Sequence, residues 1–118
     1  MITRLSAVFT VLATTTLADA PVVERVEANR SGDEWRFNVT LSHADTGWDD
    51  YADGWRVEAE DGTDLGTRVL HHPHVEEQPF TRSLSGVTIP EGTETVYIRA
   101  RTKPEGWAED RTEFTLPE

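Results

Sequence analysis

The side chains best suited to chemistry are histidines, three of which stand together in His71-His72-Pro73-His74. Proline disfavours the helical region for the residue before it, so Pro73 pushes His72 toward extended backbone. In extended chain, residues i and i+2 share a face. His72 and His74 therefore project their imidazoles the same way, with Cα atoms about 6–7 Å apart. That spacing suits chelation of one ion. His71, Glu76, Glu77 or the distant His43 would complete the set, and imidazole with carboxylate fits Zn(II) or Cu(II). The chain has no cysteine and no methionine beyond Met1, so the soft ligands favoured by Cu(I) are missing. Histidines beside acids also titrate near neutrality, which suits a pH response. Exposed histidines beside a turn proline would look the same with no ligand at all.

A second constellation runs from His43 to Gly54. It gathers Asp45, Asp49, Asp50 and Asp53 with Trp48, Tyr51 and Trp55. Loop carboxylates can take Ca²⁺, but the spacing does not follow the twelve-residue calcium loop. Aromatic rings beside acids also suit a sugar, with a ring on its apolar face and carboxylates on its hydroxyls. Trp48, Tyr51 and Trp107 are the aromatics expected in loops, where rigid rings supply contact area. With Asp49, Asp50 and Asp53 they make the candidate contact set for a protein or glycan ligand. Trp35 and Trp55 open alternating segments and are expected in the core. No Gly-x-Ser-x-Gly, phosphate loop or His-Glu-x-x-His occurs, so the residues predict a binding module and not an enzyme.

The elements that must position these residues read as strands. Apolar and polar residues alternate in Trp35–Leu41, Trp55–Glu60 and Val96–Arg101, the period of a half-buried strand. Val22–Ala28, Leu65–Leu70, Phe80–Val87 and Thr112–Leu116 complete the set. Asp61-Gly62 marks a hairpin, because Asp-Gly accepts the positive φ of such turns. Pro90-Glu91-Gly92 and Lys103–Gly106 read as a turn and a loop. Seven strands with turns at this spacing predict an all-β chain, a seven-stranded antiparallel immunoglobulin-like β-sandwich.

Phe80–Val87, Pro90-Glu91-Gly92-Thr93 and Val96-Tyr97-Ile98-Arg99-Ala100 resemble the region around the fifth and sixth strands of fibronectin type III domains. Lys103-Pro104-Glu105-Gly106 resembles that family's following loop. The family's corner tyrosine falls at Glu94 here. The resemblance implies the sandwich fold and a binding or spacer role, and no chemistry. Gly47–Trp55 and His72–Val75 also resemble segments of a small exported bacterial family, which implies export and no activity.

The N-terminus has the layout of a secretory signal peptide. Arg4 is followed by an uncharged apolar run from Leu5 to Leu17 and then Ala18-Asp19-Ala20. Thirteen residues are too few to span a bilayer, which takes roughly twenty. Cleavage after Ala20 would put Pro21 just past the scissile bond, so cleavage after Ala18 is preferred. The mature domain would then be Asp19–Glu118, one soluble unit of ordinary size, exported to the periplasm or secreted. It would be a monomer with no membrane anchor, since it has no second apolar segment and no cysteine for lipid. The chain's net charge of −11 would become −12 once Arg4 is removed, which leaves ten basic against twenty-two acidic residues. Such a surface repels nucleic acid and anionic lipid and favours solubility, cations and high salt.

Overall fold

Alternating segments become strands almost where their pattern places them. The computed structural model describes residues 20–118; the expected leader and its junction after Ala18 lie outside the described residues. Strands β1 (Val22–Ser31), β2 (Glu34–Ser42) and β5 (Phe80–Thr88) form one sheet in the order β1-β2-β5. Strands β3 (Tyr51–Glu58), β4 (Asp64–Val69), β6 (Thr95–Lys103) and β7 (Gly106–Trp107) form the other, ordered β4-β3-β6-β7, and β8 (Thr112–Thr115) also pairs with β6. Every pairing is antiparallel. No helix occurs among the described residues.

The two sheets share one core. Phe37, Val39 and Leu41 of β2 and Phe80 and Val87 of β5 meet Trp55 and Val57 of β3 and Val96, Ile98 and Ala100 of β6. Each large side chain so buried stabilises the fold by roughly 1.5–3 kcal/mol. One phase change is needed to complete this face. Phe37 sits opposite Leu84 but Trp35 sits opposite Val87, so two residues of β5 oppose one of β2. Gly86 takes φ +73° within this bulge, the left-handed backbone open to glycine. Strict alternation from Leu84 would have turned Gly86 inward; the bulge turns Val87 inward instead.

Three boundaries differ from the sequence reading. The strand expected from Trp55 begins at Tyr51, because Tyr51 and Ala52 are already core residues. It ends at Glu58, where Ala59 and Thr63 close the Asp61-Gly62 hairpin. Among the described residues there are eight strands and not seven, because the last edge strand is broken. β7 pairs with Arg101 and Thr102, and β8 pairs with Thr95–Ile98. Between them the Arg99 guanidinium donates to the carbonyls of Ala108 (2.6 Å) and Glu109 (2.9 Å).

Candidate functional site

Strand register sorts the loops between two ends of the domain. Val22 pairs with Ser42, Leu41 with Phe80, and Tyr51 with Lys103. The start of β1, the β2–β3 loop, the β4–β5 loop and the β6–β7 turn therefore lie together at one pole. The turns at Gly32-Asp33, Asp61-Gly62 and Glu91-Gly92 lie at the other.

At the first pole one buried carboxylate joins two loops. Asp45 Oδ1 receives the Ala52 amide at 2.9 Å and lies 2.6 Å from His43 Nδ1. Its Oδ2 receives the His74 amide at 2.8 Å. Gln78 adds a second bridge, accepting from the His43 amide at 3.0 Å and donating to the His74 carbonyl at 2.8 Å. His43, Asp45 and His74 are all buried. A buried amide without a partner costs free energy comparable to a lost hydrogen bond. The irregular backbone of both loops is thus fixed by Asp45 and Gln78 in place of ladder bonds.

The expected histidine pair is only partly brought together. The rings of His72 and His74 are 4.7 Å apart between centroids. His74 turns inward and stacks on Phe80 at 4.0 Å, while His71 and His72 stay exposed. His74 Nε2 lies 2.9 Å from the Arg82 guanidinium, and its buried Nδ1 has no partner. Burial holds the His74 pKa below its ordinary 6.5, aided by the charges of Arg82 and His72 and opposed by Glu77 and Asp45. His43 meets His74 only through Asp45 and Gln78. Glu76 is exposed, and Glu77 pairs with Arg82 at 2.9 Å. Among the described residues no group of three His, Asp or Glu side chains is placed to hold a metal ion.

The aspartate–aromatic loop also divides. Asp45 is in the buried bridge, and Asp53 pairs with Arg101 at 3.0 Å. Asp49 is exposed, and Asp50 has half its side chain in water, 3.9 Å from His43 Nε2. Trp48 is 62% exposed. Its ring meets Tyr51 edge-on at 5.8 Å, and Tyr51 is itself buried. Trp107 lies elsewhere, on the outer face of the second sheet, with the Arg56 guanidinium 4.1 Å and the Arg101 guanidinium 4.9 Å from its ring centroid. Four large hydrophobics are exposed among the described residues: Val22, Trp48, Val69 and Val75. All four belong to segments at this pole, at the start of β1, in the β2–β3 loop, at the end of β4 and in the β4–β5 loop, with Val22 beside Ser42 on the outer face of the first sheet and Val69 beside Gly54 on the outer face of the second.

Two features escaped the sequence reading. The bridge is one, since nothing local ties Asp45 to His74. The other is Glu58, whose fully buried carboxylate meets Arg56 Nε at 2.6 Å, Arg99 Nε at 2.8 Å and Arg111 Nη1 at 3.2 Å. Burial raises its pKa, but the hydrogen bonds from Arg99, Arg56 and Arg111 outweigh burial and leave it below the usual 4.5. Outward placement of Arg99 and Arg101 beside β3 was the available signal.

No known protein-family model matches this chain. It is similar to a protein of Halomicrobium mukohataei named "Putative lipoprotein", 42% identical over 91 residues, which is 77% of this chain. The chain spans only 44% of that relative's length. No solved structure matches. No helix among the described residues is long and apolar enough to cross a membrane.

Proposed function

We propose that this chain is an exported, cell-envelope binding domain with a fibronectin type III-like, immunoglobulin-like sandwich, and that its loop pole contacts a partner. The observation that carries this reading is that every exposed large hydrophobic among the described residues lies in a segment at one pole. Surfaces usually scatter such residues, and a grouping of them points to recognition. The opposite pole is built of polar turns.

The strand order supports the sandwich. Strands one, two and five face strands three, four, six and the broken last one, which is similar to the fibronectin type III arrangement. Export is supported by the leader-like N-terminus and by the relative's name. The 118 residues contain no cysteine to which a lipid could be joined. A binding role fits the pole better than catalysis, because its buried acid holds the Ala52 and His74 backbone amides. Rigid loops lose little entropy on binding, which favours affinity.

The test is binding of the labelled domain to isolated cell-envelope fractions. Trp48→Ala with Val75→Asp should abolish binding and leave the melting temperature and far-ultraviolet dichroism unchanged. Asp33→Asn with Glu91→Gln, at the other pole, should leave binding intact. Equal binding by both double variants would refute the assignment of the pole.

A further inference from the structure

The loop pole is acidic as well as apolar, and the two properties together define a partner. Asp49, Glu76 and Glu105 are exposed there, and Asp50 is half-exposed. None of the four meets an arginine or lysine among the described residues. Glu77 is matched by Arg82 and Asp53 by Arg101, which leaves the exposed Lys103 and the half-buried Arg68 as the cations there without a carboxylate partner among the described residues. The pole thus presents the Trp48 indole and Val75 in a negative field, on a chain whose net charge is −11.

We infer that the partner is a basic, apolar polypeptide segment, one that sets an aliphatic side chain on Val75 and a lysine or arginine on Trp48 between Asp49 and Asp50. The inference rests on the reading of this pole as a binding surface. Trp48 is the aromatic best able to attract a cation through its π face, and its ring is exposed. The Tyr51 ring meets it edge-on at 5.8 Å and holds it in place. Neighbouring carboxylates add charge complementarity, which steers encounter and selects the partner. A neutral glycan would leave Val75 facing water and draw nothing from the charge. An anionic polymer or lipid surface would be repelled.

The test uses the full chain and three probes: a leucine–arginine peptide, the same peptide with glutamate for arginine, and a neutral chito-oligosaccharide. Tryptophan emission and calorimetry report binding. The basic peptide should bind, more weakly as salt rises, and the other two probes should not. Trp48→Ala should weaken the basic peptide by about tenfold, a loss near 1.4 kcal/mol. Asp49→Asn with Asp50→Asn should weaken it several-fold. Asp33→Asn with Glu91→Gln changes net charge equally at the far pole and should alter affinity less than about twofold. Dichroism confirms that each variant is folded. An equal loss from the two charge pairs would mean attraction to the whole chain and would overturn the inference. So would binding of the acidic peptide, or no binding by any probe. Trp48-dependent binding of the oligosaccharide alone would overturn the partner class and leave the pole as the site. Failure of the basic peptide with Trp48-dependent binding to envelope fractions intact would do the same.

Discussion

Replacing Asp45 by asparagine removes one acceptor from the bridge and keeps its shape. With the amide oxygen at Oδ1, the Ala52 amide and His43 keep a partner. The new NH₂ then faces the His74 amide, which has donated to Oδ2 at 2.8 Å. That amide is left buried against another donor, at about 1–3 kcal/mol. The two surviving bonds lose their charge assistance, worth roughly 0.5–1 kcal/mol each. The sum is about 2–5 kcal/mol, a large share of the roughly 5–15 kcal/mol that stabilises a domain. For a domain of this size that lowers the melting temperature by about 10–25 °C. Urea denaturation followed by tryptophan emission measures it directly. A change in stability below about 0.5 kcal/mol would show that water replaces the carboxylate and that the loops are not held by it.

Other perturbations have equally definite outcomes. Glu58→Gln leaves three guanidinium groups facing one another. Breaking a buried pair costs about 3–5 kcal/mol, and because the arginines are each about a quarter exposed, about 2–4 kcal/mol is expected in urea. The Glu58 pKa is lowered from 4.5 by folding, so its contribution is complete above that value and fades as pH falls below it; Glu58→Gln should flatten that part of the stability profile. The His74 pKa is also lowered, from 6.5. On acidification the unfolded chain takes this proton first, so stability should fall as pH drops below about 6.5 and level off once the folded form titrates. The slope is at most about 1.4 kcal/mol per pH unit for one proton, and His74→Phe should remove it. Zn(II) or Cu(II) at micromolar levels should not raise the melting temperature, because Arg82 faces His74 Nε2. A saturating rise that His72→Ala with His74→Ala abolishes would refute that expectation and establish a metal site.

Strands were legible because burial of alternate side chains is written into local pattern. Trp35–Leu41 and Val96–Ala100 show it most plainly, and their inward residues are all in the core. The register of Val87 was not legible, since the Gly86 bulge restores a phase that alternation alone would lose. The break between β7 and β8 depends on Arg99 reaching two carbonyls, a contact with no local signature. The pole's aromatic loop was legible as composition. Its division was not: Asp45 and Asp49 look alike in sequence, yet one is sealed against His43 and His74 and the other faces water. Trp107 looked like a loop contact because the two-residue strand that carries it has no periodicity to read, and its place is set by Arg56 and Arg101. Long-range pairings of polar groups decide such cases, and they appear only once the sheets are assembled.

Amide hydrogen exchange at His74 examines the locked pole most directly. His74 sits in an irregular loop where no ladder bond protects its amide, so the Asp45 carboxylate is its acceptor. The bridge predicts exchange slowed to the level of the Ala52 amide, with both accelerated together in Asp45→Asn. Rapid exchange at His74 in the unaltered protein, with Ala52 still protected, would contradict it.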